Sequence, residues 1–369
     1  MERVALRLCK AWQDDGADVT VLLGRSDGAT QYDAPDLTYV QYPSGPISTA
    51  RFETAWMILC LRRQILAARP DVIFCAGNSY TIVAVALRLL LGRRCPPIVA
   101  KVSNSLDRKD LIPPIRFVYR QWLRLQGPLI ARWVSMADAM RAEIAHAMRV
   151  PLAEVEVIDD PALCERESKN LAAARDSFQR TPERGRLFIA AGRLVPQKRF
   201  DLLIRAFARG GHGQDRLVIL GEGPLRRKLE ALIARHELDE RVSLPGHAPR
   251  LETWLVQADA FILSSDYEGV PAVVIEALAA GVPVIATDSS AALPELLGHG
   301  RFGRLVGRRD EARLAEAIAD SRALLTDKDG ARRHADRFVI ERRAADYLRV
   351  LRAQALEHRH ALSDQMHPS

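Results

Sequence analysis

The chain has 369 residues, of which 48% are apolar, and this is enough to build and bury the cores of two domains. Its formal net charge of +7 favours phosphate-bearing ligands, an anionic membrane surface or nucleic acid as partners. The five cysteines include no Cys-x-x-Cys pair, which argues against a disulfide framework or a zinc site and favours the reducing cytoplasm. The longest apolar run, 81–91, is too short to span a membrane, and no cleavable signal precedes Val4, so neither secretion nor membrane insertion is expected.

Strands and helices alternate through residues 1–163, the predicted first domain. The predicted strands are apolar runs bounded by polar residues, at 18–23, 37–42, 71–75, 97–102, 132–136 and 154–158. The predicted helices have apolar residues at helical spacing, at 2–12, 51–68, 80–91 and 138–148. This alternation indicates a parallel sheet covered by helices. Ligands bind such sheets beyond the carboxyl ends of the strands, where Asn78 and Asn104 lie, although helix capping is the ordinary role of such residues.

The first predicted element is a helix, Glu2 to Trp12, although a doubly wound domain begins with a central strand. A sheet without that strand would leave buried backbone groups unpaired, at about 1 to 3 kcal/mol each. We therefore expect that the true start lies upstream of Met1, or that the first domain is weakly stable and the protein poorly active.

Residues 108–134 mix cationic side chains with Phe117, Tyr119, Trp122 and Trp133. This composition is typical of a helix that lies on an anionic membrane, with apolar side chains at the acyl boundary and arginines on the headgroups. An ordinary amphipathic helix with its aromatic residues in the core fits equally well. A nucleic-acid surface is a more distant interpretation.

The alternation restarts after residues 164–185, whose many charged and few large apolar residues predict a linker with a peripheral helix. Residues 186–331 form the predicted second domain, with strands at 187–191, 216–220, 241–244, 260–263 and 282–286. A final helix is predicted at 332–360, and a disordered tail at 361–369.

Three strands of the second domain lead into glycines, namely Gly192, Gly221 and Gly246, where a ligand can approach the backbone closely. Gly192 and Gly246 are therefore candidate binding residues. No Gly-x-Gly-x-x-Gly sequence follows these strands, which argues against a dinucleotide dehydrogenase. Arg193 and Lys198 follow a strand and a glycine and precede a helix, and this placement favours a binding role over ordinary solvation at the surface.

The stretch from Ser264 to Val284 contains a short polar turn and then a helix that is predicted at Pro271 to Ala280. The free N–H groups and the positive dipole end of this helix attract anions. Two acids, Glu268 and Glu276, bracket the helix end. Glu276 shares a helix face with apolar residues and therefore needs a hydrogen-bonding partner, such as a sugar or ribose diol.

These two Glu residues are separated by seven others, and Gly-Val-Pro and Ala-Leu-Ala-Ala-Gly-Val-Pro-Val follow them. The pattern resembles the signature of retaining GT-B glycosyltransferases of the group 1, family 4 type. The segment 192–198 resembles the Gly-Arg-x(4)-Lys phosphate motif of the same family. The resemblance implies an α/β, GT-B fold with two facing Rossmann-like domains and parallel sheets.

The resemblance also implies a role for each matching residue. Arg193 and Lys198 would grip the donor diphosphate and stabilise the leaving group. Glu268, together with Gly269–Val270, would orient the donor sugar. Glu276 would hold the nucleotide ribose.

The implied reaction is transfer of a hexose from a nucleoside-diphosphate sugar to a hydroxyl of a glycan or lipid-linked acceptor, with retention at the anomeric carbon. It fits envelope polysaccharide or glycolipid synthesis by a cytoplasmic protein at the inner face of an anionic membrane. No metal or other cofactor is expected, because cations serve the leaving group and because Asp327 and Asp329 lie on a polar turn. The alternatives are a non-catalytic nucleotide- or glycan-binding protein of the same fold and a truncated inactive form; nucleic acid is not an expected partner.

Overall fold

The computed structural model describes residues 2–23, 36–41, 53–108, 111–179, 185–248, 250–324 and 327–366. The chain divides into two compact units, one formed by residues 1–161 and 340–369 and the other by residues 162–339. In each unit parallel strands alternate with helices, as in Rossmann-like domains.

The described elements of the first unit are numbered along the chain. Its strands are β1 (Thr20–Leu23), β2 (Thr38–Gln41), β3 (Ile73–Cys75), β4 (Ile98–Val102), β5 (Arg132–Ser135) and β6 (Val155–Val157). Its helices are α1 (Glu2–Asp14), α2 (Glu53–Ala68), α3 (Thr81–Leu91), α4 (Pro113–Gln126), α5 (Asp138–Met148) and α14 (Ile340–Met366). Tyr42, the last residue of a predicted strand, and Arg51 and Phe52, the first two of a predicted helix, lie outside the described residues.

The strands of the first unit form two parallel sheets where the sequence predicts one. β3, β4, β5 and β6 pair in that order, while β1 pairs with β2 alone. Within the described ranges no backbone pairing joins the two sheets. β4 is buried along its whole length, and its one charged residue, Lys101, forms an ion pair there with Asp160.

The final helix starts and ends later than the sequence predicts. Residues from 328 form a separate helix, α13 (Lys328–Ala335), and the extended backbone of Val339 separates it from α14. α14 packs on α1, where the indole of Trp12 donates a hydrogen bond to the carbonyl of Ala344 at 3.0 Å. Arg359 pairs with Asp71 at 2.5 Å, and the helix continues to Met366, into the predicted tail.

The second unit contains six described strands and eight described helices. The strands are β7 (Leu187–Ala191), β8 (Arg216–Leu220), β9 (Val242–Gly246), β10 (Ala260–Leu263), β11 (Val284–Thr287) and β12 (Gly303–Val306). The helices, besides α13, are α6 (Glu165–Ser177), α7 (Phe200–Gly210), α8 (Arg226–Arg235), α9 (Glu252–Leu255), α10 (Ala272–Ala279), α11 (Leu293–Leu296) and α12 (Glu311–Ala319).

These six strands form one parallel sheet in the order β12-β11-β10-β7-β8-β9. The central strands read as almost continuous apolar runs because helices cover both faces of the sheet. Phe188 of β7, Phe207 of α7 and Ile318 of α12 are fully buried in the same apolar core. This core fixes the strands whose carboxyl ends carry the predicted site.

The segment predicted as a linker is part of the second unit. Its helix α6 packs on α10 and α13, and Arg332 of α13 pairs with Asp176 at 2.7 Å. Arg175 donates to the carbonyl of Val256 at 2.6 Å. The few apolar residues of α6 gave no sign of this docking, because it rests mainly on charged side chains. Residues 180–184 lie outside the described residues.

Candidate functional site

Lys198 and Glu268, two of the predicted site residues, lie on neighbouring loops where the strand order of the second sheet reverses. β8 lies on one side of β7 and β10 on the other, so the loops that follow β7 and β10 emerge side by side. Ligands bind α/β sheets at such a switch point. The backbone N–H of Asp266 donates to the carbonyl of Gln197 at 2.8 Å, and the Gln197 amide donates to the carbonyl of Tyr267 at 2.8 Å. Ser264 Oγ donates to the carbonyl of Lys198 at 2.8 Å, so the two loops are joined along their length.

Lys198 and Glu268 form an ion pair across these two loops. Lys198 Nζ lies 2.6 Å from Glu268 Oε1, and the two side chains are only 17% and 9% exposed. Ser265 Oγ donates to the same oxygen at 2.5 Å. Within the described residues the other oxygen, Oε2, has no hydrogen-bond donor and is available to a ligand hydroxyl. The prediction that these two residues act at one site therefore has a geometric basis.

Arg193 lies on the same loop, five residues before Lys198, and is exposed. Its guanidinium makes no hydrogen bond or ion pair with any side chain in the described part of the chain. Because this guanidinium is exposed and forms no ion pair within the described residues, it can bind an anionic ligand.

Glycines let three loops lie directly against one another at this edge of the sheet. Gly192 N–H donates to Leu220 at 2.9 Å, and Gly221 N–H donates to Gly246 at 2.7 Å. A Cβ on Gly221 would lie 1.9 Å from the Gly192 carbonyl oxygen, and a Cβ on Gly192 would lie 3.0 Å from Cε of Lys198. Loop packing therefore accounts for these glycines, whether or not a ligand approaches them.

The backbone after Glu268 is fixed by the loop that follows β11. Glu268 N–H donates to the Ser289 carbonyl at 2.8 Å, and Ser290 Oγ donates to the Gly269 carbonyl at 2.5 Å. Val270 is buried. Gly269 and Val270 are thus held in one conformation beside the carboxylate of Glu268.

The helix after this loop, α10, differs slightly from the prediction. Pro271 is its N-cap and not its first helical residue, and it provides no side-chain cap for the free N–H groups. Gly281 follows the C-cap with a φ of 68°, as expected for a helix end. Glu276 is the fifth residue of α10 and is half-buried.

An open cavity of about 310 Å³ lies at the carboxyl end of β8 and β9. Its lining residues are Leu220, Pro245, Gly246, His247, Ala248, Arg250, Thr253 and Trp254. Gly246 has a φ of 97°, a conformation that favours glycine, and this brings its backbone to the cavity surface.

Asp327 and Asp329 were predicted to be solvated residues of a turn. Asp327 instead caps α13, where it accepts from the N–H of Gly330 at 2.7 Å, and it pairs with Arg301 at 2.8 Å. Asp329 lies 3.5 Å from Arg332. Within the described ranges no three His, Cys, Asp or Glu side chains are grouped as metal ligands would be.

In the first unit, polar side chains join the loops that follow β3 and β4. Asn78 Oδ1 accepts from the N–H of Ser103 at 2.7 Å, so its side chain bridges two loops and does not cap a helix. Glu143 Oε1 accepts from Ser105 Oγ, Leu106 N–H and Asp107 N–H at 2.9, 2.7 and 3.0 Å. Nothing in the sequence marks Glu143, because its partners lie more than 35 residues away and no spacing rule links them.

The cationic and aromatic segment of the first unit is only partly a surface helix. Trp133 is buried in β5, as in an ordinary core. α4 is largely exposed and presents Ile115, Phe117, Val118 and Leu125 to solvent, at 52%, 62%, 67% and 54% exposure. No helix in the described part of the chain is long and apolar enough to cross a bilayer.

Residues 1–161 match the family model described as Glycosyltransferase Family 4, and residues 174–337 match the model described as Glycosyl transferases group 1. The putative colanic acid biosynthesis glycosyltransferase WcaL of Escherichia coli is 38% identical over 118 residues, which are 30% of this chain and 29% of the relative. A Campylobacter jejuni enzyme, N-acetylgalactosamine-N,N'-diacetylbacillosaminyl-diphospho-undecaprenol 4-alpha-N-acetylgalactosaminyltransferase, is 32% identical over 167 residues, 45% of each chain. The alignments thus span less than half the length of each of these curated relatives.

The crystal structure of Anabaena Alr3699/HepE in complex with UDP-glucose is similar over 95% of this chain and 96% of that one, with a TM-score of 0.72. The sequence identity is 19%, so this likeness concerns the fold. Both units have the α/β architecture with parallel sheets that the sequence predicts. Each of the two units matches one glycosyltransferase family model, and the chain has the fold of the Anabaena structure. The chain therefore belongs to the GT-B glycosyltransferases.

Proposed function

We propose that the protein transfers a hexose from a nucleoside-diphosphate sugar to a hydroxyl of a glycan or lipid-linked acceptor, with retention at the anomeric carbon. The observation that carries the proposal is the pair of loops at the switch point of the second sheet. There Lys198 meets the buried carboxylate of Glu268 at 2.6 Å, and the exposed Arg193 lies on the same loop. Cations beside a carboxylate suit a nucleotide sugar, since one part of it is anionic and the other carries hydroxyl groups.

The transfer breaks the bond between the anomeric carbon and the diphosphate oxygen, and the electron pair stays on the leaving nucleoside diphosphate. The acceptor oxygen forms the new bond to the anomeric carbon and releases its proton. Arg193 and Lys198 stabilise the charge that develops on the leaving group.

The remaining residues bind and orient the donor. Glu268 and the fixed backbone of Gly269–Val270 hold the sugar, and Glu276 accepts hydrogen bonds from the ribose hydroxyls. The cavity beside Gly246 takes the base. The UDP-glucose in the similar Anabaena structure supports a donor of this class.

The two cations also supply the charge that a metal supplies in other transferases. EDTA is therefore expected to leave turnover unchanged. A strict requirement for a divalent metal, seen as loss of turnover in EDTA and its recovery with Mg²⁺ or Mn²⁺, would contradict this assignment.

Release of nucleoside diphosphate from a panel of UDP-, GDP- and ADP-sugars tests the proposal. The wild-type protein is expected to turn over at least one of these donors, and Lys198→Ala is expected to lose most of that activity. Lys228→Ala, which removes an exposed lysine of α8, is the matched control and keeps it. Tight binding of a nucleoside diphosphate without turnover of any donor would point instead to a non-catalytic binding protein.

For the acceptor, we place the protein at the inner, cytoplasmic face of an anionic membrane, where it acts in envelope polysaccharide or glycolipid synthesis. α4 supports this, because its exposed apolar residues Phe117, Val118 and Leu125 are flanked by Arg120 and Arg124. Apolar side chains beside arginines suit an interfacial helix on anionic lipid. The name of the Campylobacter relative includes sugars joined to a lipid diphosphate, diphospho-undecaprenol.

Co-sedimentation with vesicles tests this placement. The protein should bind phosphatidylglycerol vesicles, bind phosphatidylcholine vesicles less, and dissociate as salt rises, because exposed charges are screened beyond about 8 to 10 Å. Leu125→Asp should weaken the binding. Leu356→Asp, which changes an equally exposed leucine of α14, should not. Equal effects of the two substitutions, or no binding by the wild type, would exclude α4 as the docking helix.

A further inference from the structure

A second set of ion pairs lies beside the Lys198–Glu268 pair. Arg199, the residue after Lys198, places Nη1 3.4 Å from Asp266 Oδ1. Arg309, from the loop after β12, reaches the same carboxylate with Nε at 3.1 Å from Oδ1 and Nη2 at 3.0 Å from Oδ2. Asp266 thus joins three loops, and its side chain is only 16% exposed.

These pairs continue into a network on the surface of the second unit. Arg199 also binds Asp201 with Nε and Nη2 at 3.1 and 3.2 Å, and Arg205 lies 2.9 Å from both Asp201 and Glu311. Burial raises the pKa of Asp201, but hydrogen bonds from Arg199 and Arg205 outweigh it and hold that pKa below its usual value. A charge network of this kind orders side chains better than isolated surface pairs do.

The two arginines that bind Asp266 have unusual backbone conformations. Arg199 has a φ of 48° and Arg309 a φ of 61°, in the left-handed region that residues other than glycine rarely adopt. Such conformations persist where the surrounding contacts hold them, and they are concentrated at functional sites. Both loops are therefore held in conformations that direct these arginines to Asp266.

Donor binding changes what holds the loops together. Under the proposed function, on which this inference rests, Lys198 turns to the diphosphate, so its ion pair with Glu268 is lost, while Glu268 meets the sugar through Oε2. The hydrogen bonds that join the two loops through Gln197 and Ser264 remain. The contacts of Asp266 with Arg199 and Arg309 also involve no donor group and remain, and they add a link to the loop after β12. We propose that Asp266 is a positioning residue that keeps Lys198 and Glu268 at their required separation while the donor lies between them.

The test compares Asp266→Asn and Arg309→Ala with Arg209→Ala, which removes an exposed arginine from the far end of the network, 3.3 Å from Glu311. The donor is the nucleotide sugar that the wild-type protein turns over fastest in the panel above. Asp266→Asn is expected to lower kcat/KM by about tenfold, mainly through a higher donor KM, since small displacements of reacting groups are costly. Arg309→Ala shifts KM in the same direction, and Arg209→Ala leaves it unchanged.

A double-mutant cycle separates positioning from general loss of stability. If Asp266 acts through Lys198, then Asp266→Asn has much less effect on kcat/KM in the Lys198→Ala background than in the wild type. Two results would overturn the inference while the proposed function stands. One is an equal effect of Asp266→Asn on kcat/KM in both backgrounds, and the other is a donor KM of Asp266→Asn no higher than that of Arg209→Ala. If Asp266→Asn does not fold, Arg309→Ala carries the same cycle. Absence of turnover by the wild type with every sugar in the panel overturns both.

Discussion

Replacing Lys198 and Arg193 separately with Ala distinguishes donor binding from structural support. Each variant lacks one charge-assisted contact to the diphosphate, and such a contact is worth about 1.5 to 3 kcal/mol. Donor affinity should therefore fall by roughly 10- to 150-fold in each variant. Only Lys198→Ala should also lower stability. Removing Lys198 leaves the carboxylate of Glu268, whose side chain is 9% exposed, with Ser265 as its one side-chain donor in the described residues. An uncompensated buried charge of this kind is costly.

The measurements are the midpoint of thermal unfolding and the Kd for the nucleoside diphosphate. Arg193→Ala should unfold like the wild type, because its guanidinium has no partner in the described residues. Adding Glu268→Gln to Lys198→Ala should restore part of the stability, because the neutral amide needs no cation, and it should not restore donor binding. Unchanged donor affinity in both single variants, or a stability loss in Arg193→Ala as large as in Lys198→Ala, would refute the assignment.

Three further predictions concern ribose binding, loop packing and pH. Glu276→Gln should weaken nucleoside diphosphate binding in calorimetry, because the amide has one acceptor atom where the carboxylate has two; unchanged affinity contradicts the ribose role. Gly221→Ala should lower the unfolding midpoint and the donor affinity, since its Cβ would lie 1.9 Å from a carbonyl oxygen. Gly213→Ala is the control, because Gly213 also has a positive φ but its Cβ would have nothing within 4 Å, and it should leave the donor affinity unchanged. Asp215→Asn should cost about 3 to 5 kcal/mol of stability by leaving buried Arg186 unpaired. Burial raises the pKa of Asp215, but hydrogen bonds from Arg186 and the backbone outweigh it and depress that pKa below 3.8. The ion pair therefore stabilises the fold fully above pH 3.8, and this stabilisation is lost as the pH falls through the depressed pKa. The wild type and this variant should therefore unfold alike in strong acid; a difference that persists there counts against the pair.

The sequence predicts what local patterns determine. Helix α5 is found at Asp138–Met148 as predicted, because its boundaries depend on residues within a few positions. The loops that carry Lys198 and Glu268 follow from the alternation of strands and helices and from the resemblance to a known motif. Their direct contact spans 70 residues, and it depends on β7 and β10 being neighbours in the sheet.

Other features could not be predicted, because only the folded chain creates them. Asp266 lies two residues before Glu268, yet its arginine partners come from two other loops, one of them 43 residues away. Nothing in the sequence marks Arg199 or Arg309 as residues with positive φ, since glycine is the usual signal. The docking of α6 is missed for a similar reason, because ion pairs and backbone contacts replace the apolar stripe that normally identifies a packed helix.

The two units differ in what they present to solvent. Every exposed large apolar side chain found in the described ranges belongs to the first unit, including Leu59, Leu89 and Val118 at 61%, 63% and 67% exposure. The second unit buries its large apolar residues and presents glycine loops and paired charges. A surface of that kind suits a hydrophilic, anionic donor, whereas exposed apolar side chains beside arginines have little to bind in a water-soluble sugar. The contrast is what the proposal of membrane docking by the first unit expects, and the vesicle experiment tests that docking directly.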